Sequence, residues 1–394
     1  MLLTLIAIVL SLFPPKIADG FAVFLTLSSA IVYENLTYEN LKESKTFENY
    51  LKSMIIASII SFGNFFGVKS YVIAASLILC DVHFVLKNLK FKKNALFYIL
   101  VYTLTGAIYF SFQHLSTPYL LFLSLMGGIS ASLVEYVSAE GGAVIVVSAT
   151  TYLIFTMYAI HTTIVYLAEA FTISFLLALI SMKAGVADES GLLSATLIGT
   201  VIIIFTDIRF FLVLLTFYIL GSVATKYKYR DKYERGVAEP AGGARGYVNV
   251  FSNSLAPLFF AINYGFYGMN VFKLAFVAAV ATALGDTMAS EIGKTSERVY
   301  LITNLKRVEP GTNGGISLRG ELAAVLGCLL VCFVALALKM INNVVPVFLA
   351  SFVGVHIDSL LGATLEERGL LTNAGVNFLA TLSGGLLLLL FNVY

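Results

Sequence analysis

The residues of this 394-residue chain whose types and spacing suit chemistry gather in its second half. The densest group is Gly285 to Gly293 (GDTMASEIG), which closes an apolar segment. A carboxylate at membrane depth is expensive unless it faces a cavity, a partner or a metal. Asp286 and Ser290, four apart, share a helix face; Glu291 falls on another side unless the helix ends there, which Gly293 permits. A second acidic stripe holds Asp358, Gly362 and Glu366 at i, i+4 and i+8, with the glycine leaving room for a ligand between the carboxylates. Two acid-bearing helix ends in one bundle suit a hard cation such as Mg²⁺ shared with phosphate oxygens. The plainer alternative is a solvated acid at an interfacial helix end.

A third stripe, Arg245, Asn249 and Asn253, follows a glycine-rich entry (AGGARG). One guanidinium and two amides on one face grip phosphate or a nucleotide edge through directional hydrogen bonds. Polar glue between helices is the competing use. The loop Glu309 to Gly315 (EPGTNGG) offers the backbone N–H groups of its glycines, Gly311, Gly314 and Gly315, to an anion. Asn373 and Asn377 form another i, i+4 amide pair, fit for a ligand or for packing alone. One decoy is rejected. Gly293-Lys294-Thr295 resembles the end of a P-loop, but that pattern needs glycine five residues before Gly293, where Met288 stands.

The elements that must position these groups are membrane helices. The chain is 59% hydrophobic and only 12% charged, with a mean hydropathy of +0.90. A soluble domain carries roughly 25% charged residues, so this chain lacks the polar surface to cover a water-facing globule. That excludes a soluble enzyme, a coiled coil, a disordered tail and a signal-anchored secreted domain. Apolar segments fall near 2–13, 17–33, 53–67, 69–86, 95–112, 118–136, 143–165, 166–182, 192–206 and 208–225. Others fall near 248–264, 271–290, 320–341, 344–362 and 374–393. The expected fold is all-α, a polytopic transmembrane helical bundle of about 13–15 apolar segments.

Net charge is +2, from 25 basic and 23 acidic residues. No basic stripe supports nucleic-acid binding. Cys80, Cys328 and Cys332, in or beside apolar runs, read as small packing residues, and no His/Cys cluster suggests zinc or haem. Three basic loops stand out: Lys87 to Lys93, Lys226 to Arg245, and Lys294 to Arg319. Six apolar segments separate the first two and two separate the last two. Even parity puts all three on one face, and the positive-inside rule makes that face cytoplasmic. A short echo, SASLVE (Ser130 to Glu135) against GATLE (Gly362 to Glu366), is compatible with a decayed internal duplication.

Seven elements occur in order: KAGVADESGLLSATLIG (183–199), GSVATK (221–226), Arg245-Gly246, Asn253, GDTMASEIG, TNLKRVEPGTNGG (303–315) and DSLLGATLE (358–366). Together they resemble the integral-membrane prenyl-phosphate kinase family that includes plant phytyl-phosphate kinase of vitamin E synthesis. The resemblance spans about residues 175–394. It divides the chain into an N-terminal transmembrane region, 1–174, and a catalytic transmembrane domain, 175–394. The SASLVE stretch resembles the end of the phytol/dolichol kinase family.

The resemblance implies transfer of the terminal phosphoryl group of a nucleoside triphosphate, CTP favoured, to a phytyl- or geranylgeranyl-type monophosphate. On that reading Asp286 and Glu291 hold Mg²⁺, with Asp358 as a supporting carboxylate. Lys226 and Arg245 neutralise phosphates, and the Gly311, Thr312, Asn313, Gly314, Gly315 loop cradles them. Asn253 and Asn313 orient donor or metal waters, and Lys183 meets the acceptor phosphate. Glu366, Asn373 and Asn377 complete the substrate-binding set. The partners implied are nucleotide, prenyl monophosphate and bilayer, with a homo-oligomer open and the site at the cytoplasmic face of the cell membrane. Two enzyme alternatives, a CTP-dependent lipid cytidylyltransferase and a polyprenol kinase, share the ingredients. A secondary transporter is the alternative from another class, disfavoured because the polar motifs cluster at helix ends and loops on one side.

Overall fold

The computed structural model describes Leu3, Thr4, Ala7 and residues 45–88, 94–138, 140–158 and 162–390. The apolar segments expected at 2–13 and 17–33, and most of the Lys87 to Lys93 loop, lie outside the described residues. From residue 53 onward each expected apolar segment meets a helix. In chain order these are α1 (Lys45–Ser61), α2 (Ser70–Asn88), α3 (Ala95–Ser111), α4 (Thr117–Val137), α5 (Gly141–Met157), α6 (Ile164–Lys183) and α7 (Glu189–Phe205). They continue with α8 (Ile208–Lys226), a short α9 (Tyr229–Glu234), α10 (Tyr247–Tyr267), α11 (Asn270–Gly293), α12 (Leu318–Ala337), α13 (Val344–Leu361) and α14 (Asn373–Leu390).

Among the described residues eight helices are long and apolar enough to cross a membrane: α2, α4, α6, α8, α11, α12, α13 with its following turn, and α14. The apolar helices α3, α5 and α7 are shorter, at 17 residues each. Helix α10 spans 21 residues yet is not among the eight, because it carries buried Asn253 and Asn263. The protein is a multi-pass, all-α integral membrane bundle. Six helices, α3 to α8, separate the first basic loop from the second, as the segment count expects.

The chain divides into two compact units, Met1–Glu169 and Ala170–Tyr394. In the first, α3 and α4 pair closely, and α5 packs on α1, α2 and α4. Glycine permits the approach: a Cβ on Gly128 would sit 2.8 Å from the Thr103 backbone nitrogen. Glu135, the acid of the SASLVE echo, is held by the buried His83, at 2.7 Å, and by Tyr102.

The second unit is built around α11, which packs against α8, α10, α12, α13 and α14. Its middle (LAFVAAVATALG) is buried throughout, because alanines let five neighbours approach the backbone. Contact is close where glycines meet: a Cβ on Gly327 of α12 would lie 3.0 Å from the Gly285 Cα. Between α11 and α12 the chain leaves helix for a small antiparallel sheet of β1 (Val299–Leu301), β2 (Arg307–Val308) and β3 (Gly315–Ile316), in the order β2-β1-β3. The apolar outer side of α6 is exposed from the protein, with Leu176 and Ile180 bare, as a lipid-facing helix requires.

Candidate functional site

Six helix termini and two loops of the second unit enclose a cavity of about 280 Å³. The last two turns of α11 bring Asp286, Ser290 and Glu291, and the end of α13 brings His356, Asp358 and Ser359. A single π turn, Gly362–Glu366, prolongs α13 and swings Glu366 to the same wall. The first turns of α10, α12 and α14 supply Asn249 and Asn253, Glu321, and Asn373 and Asn377. Helix N-termini carry partial positive charge and C-termini partial negative charge. The cavity is therefore polarised, with three N-terminal ends suited to anions and two acid-bearing C-terminal ends suited to a cation.

Asp286 and Asp358 meet across the α11–α13 contact, within hydrogen-bonding reach of each other. Among the described residues the buried Asp358 Oδ2 atom has no hydrogen-bond partner. Six acids line the cavity (Glu239, Asp286, Glu291, Glu321, Asp358, Glu366) against two permanent cations, Arg245 and Lys294. An acid excess around an orphaned carboxylate oxygen fits a divalent cation. Among the described residues no three His, Cys, Asp or Glu side chains form a closed metal cage. Two carboxylates with water or phosphate completing the sphere is the arrangement Mg²⁺ favours.

The opposite wall is Arg245. It lies just before α10, not in it, and its backbone is stitched to the segment leading into α7. Its N–H donates to the Val186 carbonyl at 2.8 Å, and its carbonyl accepts from the Asp188 N–H at 3.2 Å. A Cβ on Gly191 would lie 2.1 Å from that carbonyl, so only glycine admits the contact. The guanidinium stacks over the Phe217 ring, 4.9 Å from its centre, and donates to Asn249 Oδ1 at 3.3 Å. Asn253 Nδ2 donates to the Asn249 carbonyl at 3.0 Å. The stripe expected from i, i+4, i+8 spacing is thus brought together although its first member is outside the helix. Burial lowers the Arg245 pKa from its very high ordinary value, which leaves it charged.

Glu291 lines the same cavity as Asp286 and is paired there with cations. Helix α11 runs on through Gly293, so Glu291 points away from Asp286. It is buried in a chain of alternating charges instead. Lys232, fully buried, pairs with Glu291 Oε2, and Lys294 pairs with Glu291 Oε1 at 2.8 Å and with Glu239 at 3.0 Å. Asp286 meets Asp358, and Glu291 meets Lys294. Burial opposes the Lys294 charge, but Glu291 and Glu239 outweigh it and hold its pKa above the ordinary lysine value. Burial likewise opposes the Glu239 charge, and Lys294 outweighs it, holding that carboxyl below its ordinary range.

Two expected cations do not reach the cavity. Lys226 and Lys183 are exposed and absent from its lining. Lys228 adopts a left-handed backbone, φ 45°, which breaks the chain after α8 and turns α9 inward. That turn brings Lys232 in and leaves Lys226 out. Lys232 also donates to the Thr225 carbonyl at 2.7 Å, closing the C-terminal end of α8. Sequence reasoning missed Lys232, Lys294, Glu239, Glu321 and His356. Lys294 had surfaced only in the third basic loop and inside the rejected P-loop spelling. His356 Nε2 lies 3.3 Å from Glu321, a pairing between helices that no spacing foretells.

Gly311, Thr312, Asn313, Gly314 and Gly315 all line the cavity, hung between β2 and β3. Gly314 needs to be glycine: its φ is +70°, and a Cβ there would sit 2.5 Å from the Ser359 carbonyl. The Gly315 N–H is spent on the Thr312 carbonyl at 2.9 Å, so not every N–H of this loop is free for an anion. Asn373 lies against Glu366, and Asn377 lines the same wall.

A family model described as "Integral membrane protein DUF92" matches residues 172–385. An uncharacterized membrane protein of Methanocaldococcus jannaschii is 33% identical over 227 residues, 57% of this chain and 94% of that protein. The chloroplastic protein VTE6 of Arabidopsis thaliana is 33% identical over 189 residues, 46% of this chain and 57% of that protein. Protein PGR of Arabidopsis thaliana is 31% identical over 277 residues, covering 57% of this chain and 96% of that protein. No solved structure matches.

Proposed function

Because this chain belongs to the DUF92 integral membrane protein family, we propose that it is a membrane-embedded phosphotransferase. It transfers the terminal phosphoryl group of a nucleoside triphosphate, CTP favoured, to a prenyl monophosphate, giving the diphosphate. The observation that carries the reading is the polarised cavity, with the Asp286–Asp358 pair on one wall and Arg245, Lys294 and two asparagines on another. The motif resemblance supports the substrate class.

Asp286 and Asp358 would hold Mg²⁺, which when bound would offset the charge that develops in transfer. Arg245, oriented by Asn249 and Phe217, binds phosphate through its fork. Lys294, steadied between Glu291 and Glu239, supplies a second cation. The acceptor already bears an anionic phosphate oxygen, so no strong base is needed. That oxygen bonds to the γ-phosphorus, the bond from γ-phosphorus to the β–γ bridging oxygen breaks, and the nucleoside diphosphate leaves with the electron pair. Purified protein with γ- or α-labelled CTP and a prenyl monophosphate tests this directly. γ-Label in a prenyl diphosphate supports the kinase, and α-label in the lipid would mean a cytidylyltransferase.

Arg245→Lys is expected to lose nearly as much activity as Arg245→Ala, about 10²-fold, because an ammonium cannot make paired hydrogen bonds. Steady-state kinetics on both variants checks it; near-complete recovery with lysine would reduce Arg245 to a point charge.

We also place the cavity at the cytoplasmic face, where soluble nucleotide is found. Lys228 and Arg298 lie exposed in the two basic loops of the second unit. In intact cells, cysteines introduced as Lys228→Cys and Arg298→Cys react with an impermeant maleimide only after permeabilisation. Labelling of either from outside would invert the orientation.

A further inference from the structure

We propose that the acceptor's prenyl chain lies in a second, apolar groove between α6, α7 and α8, with Arg245 at the junction of groove and polar cavity. This rests on the phosphotransfer reading above. The groove holds about 50 Å³ and is walled by Leu177 and Ala178 of α6, Ala195 and Gly199 of α7, and Leu215 of α8. From Gly191 to Gly199 it follows nine residues of α7, about 12 Å of helix. Its volume accommodates about the first isoprene unit and leaves the rest of a long chain in the bilayer.

Arg245 lines both this groove and the polar cavity. It is 5% exposed, and its Nε has no hydrogen-bond partner. A buried guanidinium with an unmet donor at the mouth of an apolar slot calls for an anion joined to an apolar body. A lipid monophosphate has that chemistry, and a free nucleotide does not. The groove flanks α6, whose other side is bare of protein at Leu176 and Ile180, so a single lipid-facing helix separates the groove from the bilayer. Small residues on two walls, Ala178 and Ala195, leave width for the methyl branches of a prenyl chain.

The test is photolabelling of the full chain in nanodiscs, without nucleotide, using a geranylgeranyl monophosphate that carries a diazirine on its first isoprene unit. Peptide mapping is expected to place the adduct on α6, α7 or α8 near Leu177, Ala195 or Leu215. Unlabelled geranylgeranyl monophosphate competes it away, geranylgeraniol competes at least tenfold less well, and Arg245→Ala removes that preference. Ala195→Phe and Ala178→Phe, each kept only if the thermal midpoint is retained, cut labelling at least fivefold. Labelling without competition, or confined to bilayer-facing positions, would mean bulk lipid only and overturn the groove. Competed groove labelling with no diphosphate formed from any nucleotide leaves the groove standing and removes the kinase reading. Diphosphate formation with adducts mapped elsewhere does the reverse.

Discussion

Asp286→Ala is expected to lower turnover by about 10³-fold or more while leaving the detergent-purified protein folded. The side chain lies at the end of α11 against Asp358, whose buried Oδ2 is without a partner among the described residues. Two carboxylates so placed repel each other in the absence of a cation, so removing one relieves the fold while destroying the cation site. The variant therefore keeps or gains thermal stability as it loses activity, a combination that a purely structural acid would not produce. Asp358→Asn adds a metal-specific readout: the Mg²⁺ concentration for half-maximal activity rises at least about tenfold. Glu291→Gln leaves that concentration unchanged, because Glu291 faces Lys232 and Lys294 and not the aspartate pair. Wild-type activity of Asp286→Ala at ordinary Mg²⁺ would remove it from the site.

Lys232→Met is expected to be the most destabilising single change in the second unit. Lys232 is fully buried, and its partner Glu291 is 4% exposed. Removing one member of a buried ion pair costs about 3–5 kcal/mol, because the other charge is left uncompensated. Two carbonyls at the end of α8, of Ala224 and Thr225, also lose their donor. For a unit of this size the loss corresponds to a thermal midpoint lower by roughly 6–20 °C. The double variant Lys232→Met/Glu291→Gln recovers part of it, since Lys294 keeps Glu239 as its partner. A thermal shift assay in detergent on the three variants measures the effect. A midpoint for Lys232→Met within 2 °C of the parent would mean, by the same scaling, that the pair contributes under about 1 kcal/mol.

Helix positions were legible because their cause is local. A run of apolar residues long enough to cross the bilayer must be helical to satisfy its own backbone, whatever packs against it. Helical spacing was equally legible: Asn249 and Asn253, and Asp358 and Glu366, do line one cavity. The second case carried a surprise, because α13 ends in a π turn. That turn widens the step from Gly362 to Glu366, and it leaves the acid facing the cavity all the same.

What the sequence by itself determined is the membrane class, the succession of helices from residue 53 onward, and the fact that the polar motifs fall at helix ends of the second half. Only the tertiary structure decided which charges meet. Lys226 and Lys232 sit six residues apart in one charged loop, and composition treats them alike. The left-handed turn at Lys228 sends the first outward and buries the second. Asp286 lies five residues from Glu291 and 72 from Asp358, and the packing of α13 on α11 gives it the distant partner. Burial and pairing of a charge depend on what surrounds it from every side. One helix's sequence specifies one face of that surrounding, and the other faces come from helices far along the chain.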